Sequence, residues 1–147
     1  MKILIKSRKD IERMSQTQFD KHTALISITD PGCEFATLKY KPDYLLQLAF
    51  DDVDNDIFLD ELGHLPHIEE RQVLERKYHM LSDEQALQIA SFYYEKKDVI
   101  STLICQCEHG QSRSAAIAAA IMEFRSRRGI SVFAHDNYYP NKVVFRK

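Results

Sequence analysis

The segment TLICQCEHGQSRSAAIAAAIMEFR, residues 102–125, decides the fold because a strand pattern, a polar loop and a helix pattern follow one another in it. Residues 98–106 carry two apolar runs, which are typical of a strand covered on both faces. Residues 114–125 are rich in alanine and apolar nearly all round, which predicts a buried helix. A buried strand that leads through a tight loop into a buried helix predicts an α/β fold, with a mostly parallel central sheet flanked by helices.

The rest of the chain supplies further strands and helices to this unit. Ser7 is a candidate N-cap, and Ser82 with Gln85 has the spacing of a capping box. We expect strands over 1–6, 24–29, 36–40 and 44–50, and helices over 7–14, 66–77 and 82–96.

Length and composition are those of an ordinary globular protein. The 147 residues suffice for one domain, residues 1–147, and 44% of them are hydrophobic and 29% charged. The net charge of -2 gives no reason to expect nucleic acid or an anionic membrane as a partner. No apolar run approaches the roughly 18 residues of a membrane span. We therefore expect a cytoplasmic protein, and a monomer is the simplest assembly.

Cysteine and histidine usage indicates neither a disulfide framework nor a metal site. Three cysteines are an odd number, so reduced thiols are expected. His64 and His67 are spaced like metal ligands, but Pro66 lies between them and no third ligand is evident. We expect no metal and no other cofactor.

The residues that carry chemistry lie between the predicted strand and the predicted helix. They read CEHGQSRS, residues 107–114, a C-x5-R-S pattern with a glycine midway. A tight loop that enters a helix directs backbone N–H groups at one point, and the positive end of the helix dipole adds to the attraction for an anion. Gly110 can adopt the positive φ that such a loop needs. Arg113 can bind two phosphate oxygens in a bidentate fork.

The same field favours the thiolate form of Cys107, which makes it a candidate nucleophile toward bound phosphorus. Ser114 can stabilise that thiolate when it leaves a phospho-enzyme. The competing interpretation makes Cys107 a core cysteine and Arg113 an ordinary helix residue, but arginine is unfavourable at a helix N-terminus without an anion nearby. The candidate phosphate-binding residues are Glu108, His109, Gly110, Gln111, Ser112 and Ser114.

This motif resembles the phosphate loop (residues 107–113 here) of cysteine-based protein tyrosine phosphatases, most nearly the compact dual-specificity type and its bacterial and phage relatives. Residues 25–31 resemble the strand before the first loop on the active-site side, and residues 48–52 resemble the strand that ends in the general-acid loop. The resemblance implies a metal-independent phosphatase that forms a cysteinyl-phosphate. It would act on phosphotyrosine, and on phosphoserine or phosphothreonine, in a protein or peptide. Asn141, in a Pro-Asn pair similar to one near the end of the compact domain, would brace the loop.

The resemblance leaves the general acid to be chosen among Asp51, Asp52 and Asp54. Family strands place apolar residues four and two positions before the acid. Leu48 and Phe50 stand at those positions relative to Asp52, which favours Asp52.

Two features keep alternatives open. The family usually has histidine before the nucleophile, where this chain has Gln106, so a phosphate-binding pseudophosphatase is a second hypothesis. Phosphoinositides and RNA 5′-phosphates are further substrate classes, disfavoured by a loop without lysine and by the slightly acidic chain.

Cys33 and Cys105 are candidate disulfide partners of Cys107 when this nucleophile is oxidised. Cys33 follows a strand that we expect to lie beside and parallel to strand 98–106, whereas a disulfide from Cys105 would be strained. The competing interpretation, which we prefer, makes Cys33 an ordinary loop residue and Cys105 a core residue without a redox role.

Overall fold

The computed structural model of the chain describes residues 2–14, 22–39, 42–51 and 81–126. Within these ranges the chain forms four strands and three helices. The strands are β1 (Lys2–Ser7), β2 (Thr23–Thr29), β3 (Tyr44–Ala49) and β4 (Thr102–Cys107). The helices are α1 (Arg8–Arg13), α2 (Asp83–Lys96) and α3 (Arg113–Ser126).

The four strands form one parallel sheet in the order β1-β4-β2-β3. Ser7 pairs in register with Cys107, and Thr29 pairs with Ala49. Because all strands run in one direction, their carboxyl ends meet at a single edge of the sheet. The predicted α/β architecture is confirmed, and so is the expected neighbourhood of β2 and β4.

The two faces of the sheet pack against different helices, and side-chain alternation along β4 sorts its residues between them. Leu103, Cys105 and Cys107 belong to the core cluster that includes residues of α2 and α3. Ile104 belongs to a second cluster with Ile11 of α1. The side chains of Cys107 and Gln106 therefore lie on opposite faces of the sheet.

The helix starts follow the predicted local signals. The Ser7 hydroxyl accepts a hydrogen bond from the Asp10 N–H, which caps α1. Ser82 and Gln85 form the expected capping box at the start of α2. The Gln85 side chain also donates to the Ala49 carbonyl at 3.0 Å, which ties the start of α2 to the end of β3.

Two sequence-based boundaries were wrong. No strand forms over residues 36–39, because the segment makes its contacts with α1 and not with a strand of the sheet. Ala36 packs under α1 instead, and the Thr37 N–H donates to the Glu12 carboxylate at 3.1 Å rather than to a strand. Strand β4 begins at Thr102 rather than at residue 98, because residues 97–99 form the turn that ends α2. The helix predicted over 66–77 lies outside the described residues.

Among the described residues, no helix is long and apolar enough to cross a membrane.

Candidate active site

The phosphate loop leaves the carboxyl end of β4, and the chain enters α3 at Arg113. Gly110 is buried with a φ of +68°, the left-handed conformation that glycine adopts readily. A Cβ on Gly110 would lie 2.7 Å from the carbonyl carbon of Lys6 and 2.7 Å from the amide nitrogen of Ser7. The loop therefore rests directly on the end of β1, and glycine is required there for both space and conformation.

Cys107 and Ser114 meet at the base of the loop. Both residues are buried, and Cys107 Sγ lies 3.1 Å from Ser114 Oγ. A hydroxyl at this distance can donate to a thiolate, which stabilises negative charge on sulfur. Ser114 is thus placed to stabilise a negative charge on the sulfur of the candidate nucleophile.

Arg113 lies at the carboxyl edge of the sheet, where two hydrogen bonds hold its guanidinium. Its side chain is 5% exposed, and one terminal nitrogen donates to Asp30 Oδ1 and to the Phe50 carbonyl, both at 2.8 Å. Its Nε is buried and has no hydrogen-bond partner among the described residues. A buried cationic donor without a partner costs free energy, so the geometry fits an anion that would accept a hydrogen bond from the Arg113 Nε.

Asp30 is a site residue that the sequence analysis missed. It directly follows β2, and the turn after it is closed by a hydrogen bond from the Cys33 N–H to the Asp30 carbonyl at 3.1 Å. Gly32 takes a φ of +81° within this turn. The sequence did hold a signal for Asp30. It is a carboxylate at the end of a strand predicted to lie beside β4, and the carboxyl ends of parallel neighbours lie at one edge of the sheet.

Gln106 connects the two central strands beneath the loop. It is fully buried, accepts a hydrogen bond from the Ser27 hydroxyl at 2.5 Å and donates to the Cys107 carbonyl at 3.0 Å. It stands where the resembling family usually has histidine. The Gln106 side-chain amide thus donates a hydrogen bond to the backbone carbonyl of the candidate nucleophile, and unlike the imidazole of a histidine it does not titrate.

The remaining predicted loop residues line the outer side of the phosphate loop. Glu108 and Ser112 are partly exposed, whereas His109 and Gln111 are exposed. Glu108 pairs with Arg8, whose Nε donates to Glu108 Oε2 at 2.8 Å. Arg8 is a second residue that the sequence analysis did not single out, because nothing local to α1 connects it to a loop far along the chain.

Of the three candidate general acids after β3, the described residues include Asp51 alone. Asp51 is half-buried and directly follows Phe50, whose carbonyl accepts from Arg113. The acidic stretch therefore starts at the candidate site. Asp52, Asp54 and Asn141 lie outside the part of the chain that the structure describes, so the choice of general acid remains a prediction.

The three cysteines differ in their burial. All are free thiols, with Cys33 exposed and Cys105 and Cys107 buried. Burial, with a smaller contribution from the neighbouring charge of Cys107, raises the pKa of Cys105 to about 12. Cys105 is therefore a poor nucleophile, and Cys33 lies in the turn whose Asp30 binds Arg113. The choice between Cys33 and Cys105 as a redox partner of Cys107 stays a prediction.

Within the described ranges, no cluster of three or more histidine, cysteine, aspartate or glutamate side chains could hold a metal ion.

The fold is similar to that of a solved human protein, the tyrosine phosphatase-like serine/threonine/tyrosine-interacting protein. The two share a TM-score of 0.56 and 16% sequence identity, over 98% of this chain and 86% of that chain. No family model matches the chain, and no curated protein sequence matches it either. The comparison thus establishes a tyrosine phosphatase-like fold.

Proposed function

We propose that this protein is a metal-independent phosphatase. It would hydrolyse phosphotyrosine, and also phosphoserine or phosphothreonine, in proteins or peptides. The observation that carries the proposal is the buried Arg113, whose Nε has no partner among the described residues, at the end of the loop that starts with Cys107. A buried cation with an unused donor next to a candidate nucleophile fits a phosphate monoester better than it fits a neutral ligand.

Substrate binding would use the fixed positive groups of the loop. The phosphate oxygens would receive hydrogen bonds from the Arg113 Nε and from loop amides, with the start of α3 adding its dipole. Asp30 and the Phe50 carbonyl already hold one terminal nitrogen of Arg113, so the guanidinium is oriented before substrate arrives. Such prearranged donors stabilise the charge that develops on the phosphoryl oxygens during transfer.

In the first chemical step, Cys107 Sγ would form a bond to phosphorus while the ester P–O bond breaks. The leaving oxygen takes its proton from an aspartic acid, Asp52 by resemblance, with Asp51 and Asp54 as the alternatives. In the second step, water attacks phosphorus, the same carboxylate accepts the water proton, and the S–P bond breaks. The Ser114 hydroxyl, 3.1 Å from Sγ, stabilises the thiolate that is released.

The groups around the loop support a protein phosphomonoester over more highly charged substrates. The loop contains no lysine, and it carries Glu108 next to the nucleophile. The absence of lysine from the loop disfavours ligands with several phosphates, such as phosphoinositides, and the overall negative charge disfavours RNA.

A phosphate-binding protein without turnover is the second candidate. It is favoured by Gln106 at a position where the family usually has histidine, and by a structural neighbour that is itself described only as phosphatase-like. In such a protein the loop would bind a phosphorylated partner and retain it.

Release of phenolate from an aryl phosphate, with a chelator and a thiol reductant present, distinguishes the two. We expect turnover by the wild type, severe impairment of Arg113→Lys because an ammonium lacks the fork, and none in Cys107→Ser. Cys107→Ser should still bind tungstate in calorimetry because Arg113 and the loop amides remain. Tungstate binding without turnover by the wild type would favour the second candidate, and chelator-resistant turnover by Cys107→Ser would overturn the mechanism.

A further inference from the structure

Arg8, the first residue of α1, connects three segments at the carboxyl edge of the sheet. Its backbone N–H donates to the Glu108 carbonyl at 3.1 Å, and its Nε donates to Glu108 Oε2 at 2.8 Å. One of its terminal nitrogens donates to the Thr29 hydroxyl at 2.9 Å and also to the Glu34 carbonyl. The side chain therefore joins the phosphate loop to the end of β2 and to the loop that follows it.

Glu108 creates an electrostatic problem for an anion site. It directly follows Cys107, and consecutive Cα atoms lie about 3.8 Å apart, so its carboxylate is within roughly one Debye length, ~10 Å, of the candidate thiolate. An uncompensated carboxylate at that distance repels a phosphate dianion. The side chains of Glu108 and Arg8 are 43% and 22% exposed, so solvent screens them only in part.

We propose that Arg8 is a positioning residue that neutralises Glu108 and so allows the phosphate loop to accept a doubly charged phosphomonoester. The inference deepens the proposed function and rests on it. A cation in the first turn of a helix opposes the helix dipole, so α1 itself gives no reason for arginine there. The Arg8 guanidinium donates hydrogen bonds in several directions at once. A lysine ammonium on its flexible side chain cannot donate them with the same geometry.

Charge compensation and simple bracing predict different behaviour. If the pair only holds the loop in place, loss of either partner breaks their hydrogen bond and weakens anion binding, and loss of Arg8 weakens it more because the bonds to Thr29 and Glu34 are broken as well. If Arg8 cancels the charge of Glu108, loss of Arg8 leaves a negative charge beside the site, whereas loss of Glu108 removes one. The two single variants then change anion affinity in opposite directions, and the affinity of the double variant is close to that of the wild type.

The test is calorimetric binding of tungstate to Arg8→Gln, to Glu108→Gln and to the double variant, together with kcat and KM for an aryl phosphate. We expect Arg8→Gln to weaken tungstate binding and raise KM by about tenfold, with a smaller effect on kcat. Glu108→Gln should bind tungstate more tightly than the wild type. The double variant should return to within about threefold of the wild type.

Two controls separate this effect from general changes in charge and stability. Arg13→Gln makes the same substitution in an exposed residue of the last turn of α1, and it should change tungstate binding by less than about twofold. Arg8→Lys keeps the charge and should lose less affinity than Arg8→Gln. The difference between Arg8→Gln and the wild type should shrink in 1 M salt, where the Debye length falls to about 3 Å.

Weaker binding by Glu108→Gln than by the wild type, or no recovery in the double variant, would overturn charge compensation and leave only bracing. Tungstate binding and turnover that are indifferent to all these substitutions would overturn the role of Arg8 but not the proposed function. A wild type that neither binds tungstate nor hydrolyses the aryl phosphate would overturn both.

Discussion

Replacement of Gly110 by alanine tests how closely the phosphate loop rests on β1. The new Cβ would lie 2.7 Å from two backbone atoms, one in Lys6 and one in Ser7. Those atoms belong to a strand held in register by β4, so they cannot rotate away as a flexible side chain would. The left-handed backbone costs an alanine about 1–2 kcal/mol, and overpacking adds about 1–3 kcal/mol.

Gly32→Ala is the matched control. Gly32 also has a positive φ, +81°, but no atom lies within 4 Å of the position its Cβ would take. Only the backbone cost applies there. We therefore expect the free energy of unfolding to fall by about 2–5 kcal/mol in Gly110→Ala and by about 1–2 kcal/mol in Gly32→Ala.

Urea denaturation followed by far-ultraviolet circular dichroism measures both losses. In thermal unfolding, each kcal/mol should lower the Tm by about 2–4 °C for a chain of this size. Gly110→Ala should also lose tungstate affinity, because the loop must move off β1 to make room. Equal stability losses in the two variants would refute the close contact between the loop and β1.

Three further outcomes follow from the site. Asp52→Asn should lower kcat for a poor leaving group by about 10²–10⁴, with a smaller loss for an activated phenol; if Asp51→Asn behaves this way instead, the strand is aligned one residue out. Gln106→Leu keeps the side-chain size but removes both buried hydrogen bonds, so urea denaturation should show a free energy of unfolding lower by about 2–4 kcal/mol. An unchanged urea midpoint would contradict a stabilising role for these hydrogen bonds. After peroxide treatment, peptide mapping should find Cys33 joined to the nucleophilic thiol and dithiothreitol should restore activity; equal irreversible loss in Cys33→Ser would refute this.

Local signals in the sequence were sufficient for the elements that surround the site. The alanine-rich pattern predicted α3, and the Ser82–Gln85 spacing predicted the start of α2, because both depend on residues within one or two helical turns. The parallel sheet followed from the strand–loop–helix unit, since parallel neighbours require crossover connections.

Long-range partners could not be read from the sequence. Arg113 binds Asp30, 83 residues away, and Arg8 binds Glu108, 100 residues away. Both pairs exist only because the strand order brings the ends of β1, β2 and β4 to one edge. The strand prediction around Ala36 failed for the same reason, because a short apolar pattern does not reveal that the segment packs against α1 and not against a strand.

The central claim is that Cys107 accepts the phosphoryl group. Rapid acid quench of the wild type during turnover of an aryl phosphate, followed by peptide mass spectrometry, tests it directly. We expect the peptide containing Cys107 to gain the mass of one phosphoryl group. We also expect this adduct to accumulate when the general acid, which we take to be Asp52, is replaced by asparagine. Sustained turnover with no adduct on Cys107, or an adduct on another residue that persists in Cys107→Ser, would contradict it.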